Sequence, residues 1–261
     1  MSTEKADDAV KISKGDIIRL EYDAWVVETG ALFDTTSAEK AKEGNMFNEN
    51  VTYTPIPMLV GGGRTFAGLE EALEGAEVGM EKEVVIPPEK AAGLRDPKLV
   101  ELHPVREFLK QDIEPRVGME VSMKNRMGTI IAVTTGRVRV DFNRPLAGKS
   151  LKYKFKVLSR IESPEDKVKA ILEMDYGTSE GFKPTIEDGK VAVILPDVCK
   201  YDQKWLLAKY RVVTDLRDAM KAETIQFIEE FVKKEEEKKE TPASEESEKE
   251  TKEAPKEGGS E

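Results

Sequence analysis

The chain has 261 residues, with 41 Lys or Arg against 51 Asp or Glu and a formal net charge of -10. The length exceeds one typical domain, and the acidic balance argues against a nucleic-acid partner because there is no cation surplus to neutralise phosphates. Cys199 is the only cysteine, so no intramolecular disulfide can form; with no signal-like apolar region and no long apolar run, a cytoplasmic protein without a membrane partner is expected.

Residues 1–14 are polar and without period, which predicts a flexible N-terminus. From Asp16 onward Ile18, Leu20, Tyr22, Ala24 and Val26 fall on alternate positions, the period of a half-buried strand. Glu28-Thr29-Gly30 turns the chain into a second strand over Ala31–Asp34, and Thr35 to Asn50 reads as a loop. Ile56, Met58 and Val60 alternate as a third strand ahead of Gly61-Gly62-Gly63-Arg64-Thr65-Phe66. Leu69, Ala72, Leu73 and Ala76 then recur at helical steps, with Gly75 and Gly79 as the stop. Lys82 to Ile86 is a further strand, ended by Pro87-Pro88. Loop, helix and strand together predict a cup on an antiparallel sheet.

Between Leu94 and Leu146 the connection is far longer than a hairpin loop, so residues 94–146 are expected to form a unit of their own. Leu102, Val105, Phe108 and Leu109 give it a short helical face. Met119, Val121 and Met123 alternate, as do Ile131 and Val133, and Val138, Val140 and Phe142 follow the Thr135-Gly136 turn. Met119, Met123 and Met127 fit equally a core filler and an adaptable binding surface. After Ser163-Pro164 the spacing of Val168, Ile171 and Leu172 predicts a helix, Gly177 to Gly189 a loop, and Val191, Val193 and Leu195 a strand. A longer helix through Trp205, Leu206, Val212, Val213, Leu216 and Met220 leads to a final strand at Thr224–Ile228. Residues 163–232 thus read as an α+β unit around one βαβ, without a catalytic constellation. His103 and Cys199 stand alone and read as ordinary residues. Residues 233–261 hold no apolar side chain larger than Ala and predict a disordered, Lys- and Glu-rich tail.

The stretch Phe66-Ala67-Gly68-Leu69-Glu70-Glu71-Ala72-Leu73-Glu74-Gly75, with Val78-Gly79-Met80 behind it, resembles the signature of FKBP-type peptidyl-prolyl isomerases. Tyr22 and Leu32-Phe33-Asp34-Thr35 look like that family's pocket residues, and Leu146 to Tyr153 looks like the closing strand of SlyD-type members. The resemblance covers roughly residues 15–162. It implies an α+β fold: an FKBP-type antiparallel sheet wrapped on a short helix (residues 15–93 and 147–162), an insert-in-the-flap domain at 94–146, and a C-terminal domain of the kind carried by archaeal long FKBPs.

The implied activity is isomerisation of X-Pro bonds in unfolded or partly folded polypeptides, with no cofactor and no metal. Tyr22, Phe33, Asp34, Thr65, Phe66, Leu69 and Tyr153 would form the catalytic pocket. Met58, Ala92, Met119, Met123, Ile131 and Val133 would contact substrate, the last four through the insert. Two positions depart from the family: Ala92 stands where a Tyr hydroxyl is common, and Leu69 where many members have Trp. A holdase chaperone with a residual isomerase site is the alternative. The short C-terminal sheet, with Val191, Val193, Ile225 and Phe227 to cover, suggests a homodimer or a foreign partner there.

Overall fold

The computed structural model describes residues 10–123 and 125–231. Among the described residues the chain forms three sheets and three apolar cores. The first sheet is built on β1 (Ile17–Val26), which pairs antiparallel over its whole length with β9 (Leu151–Ile161). On the other edge of β1, β3 (Ile56–Leu59) covers Ile17 to Leu20 and β2 (Leu32–Thr35) covers Asp23 to Trp25. Beyond β9 lies β4 (Glu81–Ile86). Helix α1 (Ala38–Glu43) occupies part of the stretch expected to be a loop, capped by the Ser37 side chain and seated by its buried Ala41. Its small amphipathic face, one alanine wide, is too brief for periodicity to register.

Helix α2 (Ala67–Leu73) lies on one face of this sheet and buries Leu69 and Leu73 against Ile18, Leu20, Ile86, Tyr153, Phe155 and Val157. It ends one turn earlier than the apolar spacing suggests, so Ala76 is buried from beyond the helix rather than on it. The N-terminus also departs from expectation. Ile12 is 1% exposed and exchanges backbone hydrogen bonds with Gly75 and Ala76, so residues 10–14 are held by a contact that local composition does not reveal. The remainder of the expected flexible segment, residues 1–9, and the acidic tail at 233–261 lie outside the described residues.

The insert carries its own sheet, in the order β5 (Val100–Pro104), β8 (Arg137–Asp141), β7 (Arg126–Val133), β6 (Glu120–Met123), all antiparallel. Leu102 is on strand β5 and half-exposed; only Val105–Leu109 is helical (α3), and it places Phe108 onto Val121, Ile130, Val138 and Val140. The Pro104 ring ends the strand and starts the helix, which is why one apolar run divides between two conformations.

The C-terminal unit comprises α4 (Pro164–Tyr176), β10 (Lys183–Glu187), β11 (Lys190–Leu195), α5 (Gln203–Met220) and β12 (Thr224–Glu229). Strands β11 and β12 are parallel and joined by α5, the expected βαβ. Strand β10 was not expected: Lys183–Glu187 shows little apolar pattern and becomes a strand only by pairing with β11 across the Asp188-Gly189 turn. Trp205, Val212 and Leu216 form the buried face of α5, whereas Leu206 points outward.

The first sheet is apolar on both faces at one end, and this positions the C-terminal unit. Ile18 and Met58 face α2; their neighbours Ile17 and Leu59 face the opposite way and are buried with Val168, Ile171 and Leu172 of α4. A bulge opposite Arg19 and Leu20 shifts β9 by one residue, which brings Ile161 to the same side.

Gly68 is the tightest point between α2 and the sheet: a Cβ there would stand 2.3 Å from Cγ2 of Ile86. Gly68→Ala should therefore destabilise the chain by about 1–3 kcal/mol, read as a lower midpoint in denaturant; an unchanged midpoint would show that helix and strand can separate without loss.

Candidate active site

Strands β1, β2, β3 and β9, the loop before α2, and the last turn of α4 enclose a cleft of about 770 Å³. Tyr22, Phe33, Asp34, Met58, Thr65, Phe66, Leu69 and Tyr153 all line it. Each is delivered by a specific piece of backbone. Tyr22 is on the inward-facing parity of β1, and the short β2 places Phe33 and Asp34 across from it. Phe66 is the N-cap residue of α2, with an extended backbone whose carbonyl accepts from Leu69 and Glu70 N–H, so its ring is held at the mouth while Leu69, 1% exposed, forms the floor.

The walls are aromatic. The Tyr22 and Tyr153 rings lie 5.8 Å apart, and Phe33 meets Tyr153 edge-on at 6.0 Å. One polar contact orders them: the Tyr22 hydroxyl donates to Oδ2 of Asp34 at 2.8 Å. Burial, and then the charge of Asp34, push the Tyr22 hydroxyl well above the usual tyrosine range; Tyr153 shifts the same way for the same two reasons. Both phenols are therefore neutral donors at physiological pH. The cleft offers hydrogen-bonding groups at its rim and dry aromatic surface below.

The other sequence-assigned substrate residues lie elsewhere. Ala92 does not line the cleft; the backbone bends after the Pro88–Lys90 turn so that Ala91 packs inward instead. Met119, Ile131 and Val133 are exposed on the insert, and Met123 packs against its small core. Conversely, Thr52, Thr54, Ile56, Pro57 and Arg64 line the cleft, as do Glu173, Met174 and Gly177 of α4 and its C-terminal turn. For the α4 residues there is no local signal, because they follow the rest of the cleft by some twenty residues in a separate unit.

Ordinary roles account for the remaining reactive types. Cys199 is buried, and desolvation raises its thiol, which makes it a poor nucleophile. His103 is enclosed between the rings of Phe108 and Phe142 in the insert. Among the described residues no cluster of His, Cys, Asp or Glu could hold a metal ion, and no helix is long and apolar enough to cross a membrane.

Comparison with known proteins agrees with the architecture. A short-type peptidyl-prolyl cis-trans isomerase of Methanocaldococcus jannaschii is 43% identical over 147 residues, 56% of this chain and 92% of that protein. The chain belongs to the FKBP-type peptidyl-prolyl cis-trans isomerase family, and it is an isomerase of that type. The SlyD isomerases of Helicobacter pylori and Escherichia coli are 30% and 34% identical, matching 82% and 67% of their own lengths and 57% and 49% of this chain. The FKBP-type peptidyl-prolyl cis-trans isomerase model matches residues 8–104, the FKBP26 IF-domain model 101–146, and the FKBP26 C-terminal model 164–232.

In this FKBP-type cleft, removal of the Tyr22 hydroxyl has a pH signature. The native phenol keeps its proton to higher pH than an unfolded tyrosine, which ionises near about 10. The stability it contributes is thus complete below about that pH and declines as pH rises above it. Tyr22→Phe should lower stability by about 1–2 kcal/mol near neutrality. The gap to the parent chain should narrow above about pH 10; chemical unfolding at a series of pH values checks both, and a gap that widens with alkalinity would contradict the assignment.

Proposed function

We propose that this isomerase acts on unfolded or partly folded proline-containing chains, which the insert holds while the Tyr22–Asp34 cleft turns the X-Pro bond. Rotation is slow because amide resonance is lost, with a barrier of about 18–20 kcal/mol. The twisted amide has a smaller carbonyl dipole than the planar one. An aromatic pocket that removes water therefore favours the twisted form, and about 1.4 kcal/mol of such preference gives tenfold in rate. Phe33, Phe66, Leu69 and Tyr153 supply that surface, Thr65 and Phe66 supply backbone groups for the peptide, and Asp34, held by Tyr22, is the polar group at the rim. No nucleophile takes part in such a reaction.

The observation that carries the client-holding part is the apolar surface of the insert. Leu109, Val117, Met119, Met127, Ile131 and Val133 are all exposed there, a density unusual for a surface without a partner. Its ends also close on one another: Gly148 N–H donates to the Gly93 carbonyl at 2.8 Å, and Arg95 pairs with Asp141 at 2.6 Å. The insert is thus an appendage on a closed base. Cytoplasmic location is part of the proposal, supported by the single, buried, free thiol.

Replacing residues 95–145 by a short glycine linker should leave activity on a tetrapeptide close to that of the full chain while slowing refolding of a proline-limited protein. Asp34→Ala with Phe66→Ala should do the opposite to the peptide assay, reducing it at least about tenfold. Equal losses on both substrates in the insert-deleted chain would make the insert merely structural. Full peptide activity in the double variant would place the reaction elsewhere.

We also propose self-association through the C-terminal unit, though not through its sheet, because Val191 and Val193 are buried with residues of α4 and α5 and Ile225 and Phe227 pack on the same core. Tyr201, Leu207 and Tyr210 are 88%, 83% and 81% exposed, and Leu206 and Val198 add to the same segment. A two-fold pairing of this patch would cover it with its own copy. Light scattering should give twice the chain mass, and Leu207→Glu with Tyr210→Glu should return it to one; a single-chain mass for the unaltered protein at micromolar concentration would eliminate the pairing.

A further inference from the structure

The cleft does not end at the isomerase unit. Its far side is the last turn of α4, from which Glu173, Met174 and Gly177 face the same space as Phe66 and Tyr153. Two Arg contacts hold that turn in place. Arg19 on β1 grips Glu173 with both nitrogens, Nη1 to Oε1 at 2.8 Å and Nη2 to Oε2 at 2.6 Å. Arg64, two residues before Phe66, contacts Asp175 and Asp215 together. The Asp175 side chain is fully buried, and Arg64 and Asp215 nearly so, so this contact excludes water and ties the pocket loop to both helices of the C-terminal unit. An Arg held between two buried carboxylates is hard to separate, since either partner alone would leave charge buried.

These pairs also decide the chemistry offered to a ligand. Glu173 faces the cleft but is paired with Arg19, and Asp175, buried behind the lining residues, is paired with Arg64. What α4 leaves for contact is the flexible thioether of Met174, which packs partly on the C-terminal core and lines the cleft together with Ile56 and Pro57. Gly177, left-handed at φ 96°, ends the helix without a side chain, which leaves room for Nζ of Lys204, 2.9 Å from where a Cβ would stand.

We propose that Met174 of the C-terminal unit is a specificity-determining residue of the isomerase, forming an apolar subsite for the substrate side chain next to the proline. This rests on the cleft described above being the reaction site. Met suits such a position because its unbranched, polarisable side chain adapts to several apolar partners. The Arg64 and Arg19 pairs are positioning contacts that keep the subsite at a fixed distance from Phe66. The C-terminal unit consequently shapes which X-Pro bonds are turned, in addition to any role in association.

The test uses the full chain and two series of tetrapeptides, one varying the residue before proline and one the residue after, from Ala to Leu and Phe. The unaltered protein should prefer the large apolar residue in one series. Met174→Ala should reduce kcat/KM for those peptides about fivefold, on the low side of what one or two methylenes contribute in an apolar pocket. The Ala-flanked peptide should lose clearly less than the large apolar ones, and Met174→Leu should restore most of the preference. Unchanged selectivity in both series, or an equal loss on every peptide, would overturn the subsite. Because the Ala-flanked peptide reports the proline pocket alone, its abolition by Asp34→Ala with Phe66→Ala distinguishes failure of the subsite from failure of the reaction site.

Discussion

The structure depends on one pairing, between Ile17–Val26 and Leu151–Ile161, strands separated by more than a hundred residues of chain. The rest of the first sheet, α2 and α4 are placed by it. Its inward face supplies the floor beneath α2 and the ring of Tyr22; its outward face, at the Ile17 and Arg19 end, receives α4. Both faces are covered because β1 changes neighbour along its length, first β3 and then β2, so the end nearest β3 is broad enough to hold a second layer. The strand β9 bulge serves the same end by turning Ile161 toward the second core. A β-strand gives alternate residues to two sides, and here both sides are put to use.

The same pairing explains how so long an insertion is tolerated between β4 and β9. The insert leaves and rejoins where these neighbouring strands already lie side by side, and the Gly148 to Gly93 hydrogen bond closes the gap beneath it. Loop-closure entropy grows only slowly with length, so a folded unit at this point adds little to the difficulty of closing the sheet. The insert in turn needs its own core, and Phe108, Ile130, Val138 and Val140 provide a small one. So small a core leaves many apolar side chains outside, the physical reason that an exposed apolar surface and a minimal fold occur in one unit.

Within the cleft, burial and charge act in the same direction. Desolvation raises Tyr22 and Tyr153 above the usual tyrosine range, and the charge of Asp34 acts in the same direction. The outcome is a set of neutral donors with aromatic faces, which suits a reaction that redistributes a dipole without making or breaking a bond. The ion pairs of Arg64 and Arg19 join the units along one side of this cleft, which Arg64 and Glu173 themselves line.

The sequence by itself determined most of the strands, the α2 helix and, through the family resemblance, Tyr22, Phe33, Asp34, Met58, Thr65, Phe66, Leu69 and Tyr153 of the pocket. Alternation on β1 and helical spacing at Leu69 and Leu73 are local patterns, and the Phe66 to Gly75 stretch resembles the FKBP-type signature. It likewise marked the insert, since no hairpin needs so long a loop, and the βαβ of the C-terminal unit. Tertiary structure alone decided the rest. Strand β10 exists because β11 offers it an edge, Ile12 is ordered because Gly75 and Ala76 are near, and Ala92 misses the cleft because the backbone bends at the preceding turn. Above all, Arg64 reads in sequence as one polar residue after a glycine run. Its partners Asp175 and Asp215 lie 111 and 151 positions later. Contacts of that range leave no periodicity behind, so the α4 side of the cleft becomes visible only when the chain is folded.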